Sequence, residues 1–362
     1  MAQHFCRSSH LLSTVTLIIL CCLTNVVNAA TTHKQLTYSF PAILVFGDST
    51  VDTGNNNHFL TIFRSNHLPY GQDFPGSIPT GRFSNGRLTI DMLASALKIK
   101  DFVPPFLDPS LSPRDLITGV SFASGGCGFD NTTDSAVSIP VDVQLHQFQD
   151  YIARLNEIVG SDDDARRILG EALVVISAGT NDVALNYYDN PTRSAEYTIA
   201  EYQDFLQGKM HNVVKGLYKM GCRKMLIVGL PPIGCLPIQM TIHLDNTECV
   251  KEQNDDTRVY NKKLIRQISK MQKQFPGIKL SYADIYSPLL DMIKHPSKYG
   301  FEVTNAGCCG TGLVEAGPLC NVLSIACADS TKYVFWDAIH PTEAAYYYIA
   351  QSILRHSLSQ LR

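Results

Sequence analysis

Five short apolar runs recur along the chain, four to six residues in length and several of them rich in valine and isoleucine. They occupy residues 42–46, 120–123, 172–177, 224–229 and 280–283. Runs this short are typical of strands rather than helices, and continuous apolar runs indicate strands that are buried on both faces. The pattern predicts a mainly parallel sheet.

Longer segments with helical periodicity lie between and after these runs. They occupy residues 88–97, 143–159, 195–220, 250–274 and 343–358. The last of them follows Pro341 and Thr342, which suit the start of a helix. Strands that alternate with helices predict an α/β fold, a doubly wound three-layer α/β/α sandwich.

The first 29 residues have the pattern of a secretory signal peptide. Arg7 precedes an apolar run at residues 11–23, and residues 27–29 offer a cleavage site. A membrane anchor needs about 20 apolar residues, whereas this run is shorter and contains serine and threonine. We therefore expect a secreted, extracellular protein without an integral membrane segment. No linker or internal repeat divides residues 30–362, so we expect them to form a single domain.

Cysteine content agrees with export. Of the 11 cysteines, three lie in residues 1–29, and the eight that remain favour disulfides in an exported chain. Cys308 and Cys309 lie near Cys320 and Cys327, but that stretch has no Cys-x-x-Cys pair and no histidine, so we expect no metal site. The sequence leaves the disulfide pairing open.

Charge and modification signals add little to the choice of function. The chain has 30 basic and 33 acidic residues mixed along its length, so nothing indicates a nucleic-acid partner. Asn131 belongs to the one Asn-x-Ser/Thr sequon in residues 30–362 and is a candidate glycosylation site on a surface loop.

Polar, turn-forming sequence follows three of the predicted strands, at residues 47–49, 124–126 and 178–182. In a parallel sheet the carboxyl ends of the strands meet at one edge, and ligands bind in the crevice beyond that edge. A fourth segment, residues 334–341, carries Asp337 and His340 just before the last helix. We expect these segments to come together.

A serine hydroxyl becomes a nucleophile when a neighbouring base takes its proton and a third group orients that base. Ser49, His340 and Asp337 can fill these roles. The oxyanion of the tetrahedral intermediate needs hydrogen-bond donors. The candidates are the Ser49 N–H, a glycine N–H from residues 125–126 and the side-chain amide of Asn181. This chemistry requires no cofactor.

Each piece also has a plainer interpretation. Gly-Asp-Ser after a strand is a common turn, Asn181 suits a turn or a helix cap, and Asp337 with His340 suits a structural pair. The three asparagines at 55–57 are typical of a structural loop, and the three tyrosines at 346–348 of a core-facing helix. Cys127 is interpreted as a buried or disulfide-bonded residue rather than a catalytic thiol.

The motifs resemble those of the GDSL-type lipases and esterases of the SGNH hydrolase superfamily, in their plant form, over residues 40–355. They read Phe-Gly-Asp-Ser at 46–49, Val-Asp-Thr-Gly-Asn-Asn-Asn at 51–57, Gly-Arg-Phe-Ser-Asn-Gly at 81–86, Ser-Phe-Ala-Ser-Gly-Gly at 121–126, Gly-Thr-Asn-Asp at 179–182 and Asp-Ala-Ile-His-Pro at 337–341. The resemblance implies a flavodoxin-like α/β/α fold. It also implies the catalytic residues Ser49, Asp337 and His340, with oxyanion donors at Asn181 and at Gly126, Gly125 being the alternative register. Thr50 stands where the family name has leucine, at a position that carries no proton in the reaction.

The resemblance implies an esterase or lipase of the plant cell wall or apoplast, acting on lipid esters, acetylated sugars, cutin precursors or small phenolic esters. An extracellular acyltransferase uses the same residues, and a non-catalytic binding protein of the same fold is a further alternative. The sequence contains no Gly-x-Ser-x-Gly elbow, which an ordinary α/β-hydrolase would have. It also contains no Gly-x-Gly-x-x-Gly loop, which a nucleotide-binding enzyme would have. We expect activity to fall as His340 becomes protonated. The substrate and the oligomeric state stay open.

Overall fold

Four of the five predicted strands form one parallel sheet in a computed structural model, which describes residues 39–133, 137–243 and 248–361. The strands are β1 (Ile43–Gly47), β2 (Leu173–Ser177), β3 (Lys224–Val228) and β4 (Lys279–Ala283), paired in that order. Every residue of β1 and β2 is buried, which explains their continuous apolar sequences. The prediction of a parallel sheet is confirmed.

The fifth predicted strand, residues 120–123, makes only a single bridge to β1. The Val45 N–H donates to the Val120 carbonyl at 3.1 Å, and the Phe122 N–H donates to the Val45 carbonyl at 2.7 Å. No second bridge forms because the next β1 donor, the Gly47 N–H, bonds to the side chain of Gln144 at 2.9 Å, although the Ser124 N–H still donates to the Gly47 carbonyl at 2.9 Å. The prediction of a full strand is therefore wrong.

Two short strands that the sequence pattern did not reveal form a second parallel sheet, β5 (Val303–Gly307) with β6 (Tyr333–Phe335). Strand β6 has three residues, and four of the five residues of β5 are partly or fully exposed, so neither gives a continuous apolar run. Strand β6 leads directly into the predicted segment with Asp337 and His340.

Helices occupy all five predicted segments, together with shorter ones between them. They are α1 (Thr89–Ala96), α2 (Pro113–Thr118), α3 (Val141–Val159), α4 (Asp162–Glu171), α5 (Pro191–Glu196), α6 (Ile199–Lys219), α7 (Pro237–Ile242), α8 (Lys251–Gln274), α9 (Tyr286–Lys294) and α10 (Glu343–His356). The predicted helix 195–220 is two helices, because Thr198 starts a new one. Its hydroxyl accepts from the Glu201 N–H, and the Glu201 carboxylate accepts from the Thr198 N–H.

The helices form layers on the two faces of the sheet. On one side α1, α9 and α10 pack together, and their side chains line an apolar cavity closed by Val175 and Leu226 of the sheet. On the other side α3, α6 and α8 pack together, and Phe148 of α3 meets Phe46 of β1 at 5.4 Å between ring centroids. The three-layer α/β/α prediction is confirmed.

Residues from Ser39 onward cluster as one compact unit, and the predicted signal peptide, residues 1–29, lies outside the described residues. Within the described ranges no helix is long and apolar enough to cross a membrane.

Six of the eight cysteines after residue 29 form disulfides, Cys235–Cys249, Cys308–Cys327 and Cys309–Cys320. All four cysteines between residues 308 and 327 are therefore in disulfides. Cys127 and Cys222 are buried free thiols. Burial raises the pKa of Cys127 well above its usual value, which keeps the thiol protonated and unreactive.

Candidate active site

The turn that carries Ser49 begins at Gly47, the last residue of β1. Gly47 has φ +143°, and a Cβ there would lie 1.8 Å from the Ser177 carbonyl oxygen, so the position requires glycine. The Asp48 N–H donates to that carbonyl, and the Asp48 carboxylate accepts from the Thr50 N–H and hydroxyl at 3.0 and 2.7 Å. Ser49, held between these anchors, is 6% exposed.

Gln144 of α3 clamps the same turn from the other side. Its side-chain oxygen accepts from the Gly47 N–H and its amide donates to the Gly47 carbonyl, both at 2.9 Å. The first bond satisfies the buried Gly47 N–H, which has no backbone partner, and the second adds to the bond that the Gly47 carbonyl accepts from the Ser124 N–H. Gln144 could not be predicted from the sequence, because a single glutamine on an amphipathic helix carries no local signal.

A second turn, after β6, holds Asp337 and His340 together. One Asp337 carboxylate oxygen accepts from the Ile339 N–H at 2.8 Å and from the His340 N–H at 2.7 Å. This compact turn brings the His340 imidazole back to the Asp337 carboxylate, with the His340 Nδ1 2.8 Å from the Asp337 Oδ2. The His340 Nε2 then lies 2.8 Å from the Ser49 Oγ. The three predicted residues thus form one continuous hydrogen-bonded line.

Tyr70 is a fourth member of this line, and it was not predicted from the sequence. Its hydroxyl donates to Asp337 Oδ2 at 2.6 Å and accepts from the Gly317 N–H at 2.7 Å. Burial and the neighbouring carboxylate raise the pKa of Tyr70 well above its usual value, so the hydroxyl stays a donor. Tyr70 is separated from Asp337 by 267 positions, and no motif marked it.

An aromatic cluster packs around Asp337 and His340. Phe83, from the Gly-Arg-Phe-Ser-Asn-Gly motif, has its ring 5.1 Å from the His340 ring. Tyr70, Phe83 and Trp336 pack together with the Cys309–Cys320 disulfide in one buried cluster. The cluster excludes water from Asp337, which is fully buried.

The glycine turn at residues 125–126 is shaped by the asparagine loop. Gly125 donates its N–H to the Asp52 carboxylate at 2.9 Å, and the Asn56 amide donates to the Gly125 carbonyl at 3.0 Å. The Gly126 N–H has no partner within the part of the chain that the structure describes. Asn55 likewise donates to the Ala123 carbonyl at 2.8 Å. The structural interpretation of residues 55–57 therefore agrees with these contacts.

Asn181 lies beside this glycine turn, at the start of a π-helical segment, Asp182–Asp189. Its amide donates to the carbonyl of Cys127, the residue after Gly126, at 2.9 Å. The Cys127 thiol in turn donates to the Gly47 carbonyl at 3.1 Å. These contacts join the three predicted turns at one edge of the sheet.

Other predicted features have mixed outcomes. Asn131 is exposed, and its amide donates to Asp142 at 2.5 Å; its glycosylation stays a prediction. Tyr346 is buried as a core residue, whereas Tyr347 is 48% exposed, so the core interpretation is wrong for that residue.

Across residues 39–133, 137–243 and 248–361, no group of three His, Cys, Asp or Glu side chains is placed to hold a metal ion.

The fold and this geometry define a class, the serine hydrolases of the α/β/α type. Comparison with known proteins makes the assignment specific. The GDSL-like Lipase/Acylhydrolase family matches residues 43–353. A GDSL esterase/lipase of Arabidopsis thaliana is 51% identical over 343 residues, 93% of each chain. A second from the same plant is 46% identical over 357 residues, 96% of this chain and 98% of its own. The chain belongs to the GDSL lipase/acylhydrolase family, which places it among the carboxylic ester hydrolases.

Proposed function

We propose that the protein is a secreted serine esterase or lipase that hydrolyses carboxylic esters through an acyl-enzyme on Ser49. The observation that carries the proposal is the line of hydrogen bonds from Asp337 through His340 to Ser49, with 2.8 Å at each step. The names of the Arabidopsis relatives, esterase and lipase, support an ester as the substrate.

In this reaction the Ser49 Oγ attacks the ester carbonyl carbon while the His340 Nε2 takes the hydroxyl proton. Asp337 holds the imidazole in place and stabilises the positive charge that it gains. His340 then gives its proton to the departing alcohol, which leaves an acyl group on Ser49. A water molecule, deprotonated by His340, then attacks the acyl carbon. The carboxylic acid leaves, and His340 returns the proton to the Ser49 Oγ.

The negative oxygen of each tetrahedral intermediate needs donors with no other partner. The backbone N–H groups of Ser49 and Gly126 meet this condition within the described residues, and the Asn181 amide has one proton beyond its bond to Cys127. The Gly125 N–H is engaged by Asp52, which supports Gly126 over Gly125 as the oxyanion donor.

Export is part of the same proposal. Residues 1–29 act as a signal peptide, residues 30–362 form the secreted domain, and Asn131 is the glycosylation site. Three disulfides support an oxidising compartment. The N-terminal sequence of the secreted protein tests the cleavage site, since a chain that begins before residue 30 contradicts it.

Hydrolysis of p-nitrophenyl esters from acetate to long acyl chains tests the activity. We expect Ser49→Ala and His340→Ala each to lower kcat by a factor of about 10³ or more. Ser281→Ala and His295→Ala serve as matched controls, because Ser281 bonds to Ser357 in the core and His295 is exposed. Full activity of Ser49→Ala contradicts the nucleophile assignment. An inactive but folded wild-type chain contradicts the hydrolase, and product transfer to an added alcohol indicates an acyltransferase.

A further inference from the structure

Four large apolar side chains are exposed to solvent on one loop, residues 308–327, which we call the disulfide loop. Leu319 is 58% exposed, Val322 73%, Leu323 88% and Ile325 86%. No charged residue occurs between 316 and 328. Four exposed apolar side chains within seven positions of one loop are a group of the kind that marks an interaction site.

The disulfide loop cannot turn these side chains inward. The Cys308–Cys327 disulfide closes the base of the loop. The Cys309–Cys320 disulfide ties the middle of the loop to the buried cluster that contains Tyr70. Two backbone bonds join the strands of its neck, from the Cys327 N–H to the Cys308 carbonyl and from the Gly310 N–H to the Ile325 carbonyl. The apolar side chains are therefore held outside by covalent and hydrogen-bonded constraints.

The two polar side chains at the tip of the disulfide loop, Asn321 and Ser324, are paired within the loop. The Asn321 side chain accepts from the Leu323 N–H at 3.0 Å and donates to the Pro318 carbonyl at 2.9 Å. The Ser324 hydroxyl donates to the Leu319 carbonyl at 2.9 Å, and the Ser324 N–H donates to the Asn321 carbonyl at 2.8 Å. Leaving water is costly for unpaired polar groups, so this pairing suits a tip that enters an apolar medium.

The disulfide loop lies at the same end of the molecule as the candidate active site. It follows the carboxyl end of β5, and the parallel neighbour β6 leads to Asp337. The loop contacts the site through Gly317, whose N–H bonds to the Tyr70 hydroxyl, and through the Glu315 carbonyl, which accepts from the Ala338 N–H at 2.7 Å.

The segment after Ser49 adds further apolar surface nearby. Leu60 is 93% exposed and Ile62 is 62% exposed. The next residue, Phe63, packs against the buried cluster that contains Cys309 and Cys320. The two apolar segments are thus anchored to one cluster.

From these observations we infer that the disulfide loop binds the surface of a lipid assembly, with Leu319, Leu323 and Ile325 entering the boundary between headgroups and acyl chains. The partner is a zwitterionic lipid surface, because residues 316–328 offer no lysine or arginine to an anionic one. Binding would bring the active site to esters held in the lipid phase, and this consequence alone rests on the proposed function.

Vesicle binding tests the inference without any turnover. The probe is a vesicle of pure phosphatidylcholine, mixed with the mature Ser49→Ala protein and separated by sedimentation. We expect the Leu319→Ser, Leu323→Ser, Ile325→Ser triple variant to lower the partition coefficient on the order of 100-fold, because each substitution removes most of an apolar side chain. Val259→Ser with Ile265→Ser is the matched control, since these residues are 44% and 45% exposed on α8. The control should bind as the parent does, and added salt should not weaken binding.

Three outcomes overturn the inference. The first is equal binding by the triple variant and its parent, and the second is binding to anionic vesicles alone. The third is a stable dimer in light scattering that the triple substitution abolishes, since the patch would then join two copies of the chain. Hydrolysis of soluble p-nitrophenyl acetate by the active triple variant should match the wild type. If the wild-type chain binds vesicles but shows no esterase activity, the proposed function is refuted and this inference stands.

Discussion

Removing the Tyr70 hydroxyl tests how much its hydrogen bond to Asp337 contributes to catalysis. Asp337 is fully buried and receives four donors, the Ile339 and His340 N–H groups, the His340 ring and the Tyr70 hydroxyl. In Tyr70→Phe the oxygen Oδ2 keeps only the imidazole. A hydrogen bond to a charged group contributes about 1.5–3 kcal/mol, so its full loss in the transition state corresponds to a factor of about 10 to 150 in rate.

We expect kcat of Tyr70→Phe to fall within that range while KM changes little, because Tyr70 acts through Asp337 and does not touch the substrate. The charge of Asp337 is then shared among fewer donors and holds the imidazolium of His340 more tightly. The acid limb of the pH profile of kcat should therefore move to higher pH. Steady-state kinetics across pH on a soluble p-nitrophenyl ester measures both effects.

Tyr151→Phe is the matched control. Tyr151 is also fully buried, and its hydroxyl donates to the Leu116 carbonyl at 2.6 Å, away from the site. An equal loss of kcat in both variants, or a loss without movement of the acid limb, would mean that Tyr70 only stabilises the fold. A kcat within twofold of the wild type would refute the positioning role altogether.

Two further predictions concern the supports of the turns. Burial raises the pKa of Asp52 from 3.8 to about 6, so the folded state takes up a proton before the unfolded chain and gains stability as the pH falls through about 6. The unfolding free energy of the wild type relative to Asp52→Asn should rise by about 1 kcal/mol from pH 7 to pH 5 in guanidinium titrations, and a constant difference would contradict this. Gln144→Met leaves the buried Gly47 N–H unpaired, whereas the Gly47 carbonyl keeps its bond from the Ser124 N–H. The variant should be destabilised by about 2 kcal/mol, with lower kcat. The exposed Gln274→Met is its control, and equal stability of the two variants would argue against the clamp.

Local sequence was sufficient for much of the architecture. Runs such as 42–46 and 172–177 are apolar because parallel strands are covered on both faces, so β1 and β2 could be predicted without tertiary information. The same reasoning failed at residues 120–123, where the Gln144 side chain takes the donor that a further bridge needed. Strands β5 and β6 were not predicted either, because β6 is too short and β5 too exposed to give a continuous apolar run.

The candidate site divides in the same way. Ser49, Asp337, His340, Asn181 and the glycine turn could be named from the sequence, because each follows a strand or belongs to a compact motif, and parallel topology brings such ends together. Their catalytic roles stay predictions.

Tertiary structure alone decided which groups support them. Tyr70 reaches Asp337 across 267 positions, Gln144 reaches Gly47 across 97, and the choice between Gly125 and Gly126 depends on which N–H Asp52 occupies. Disulfide pairing likewise depends on which cysteines the chain brings close. Side-chain contacts between distant segments follow from packing, and they leave no periodicity or spacing in the sequence from which they can be predicted.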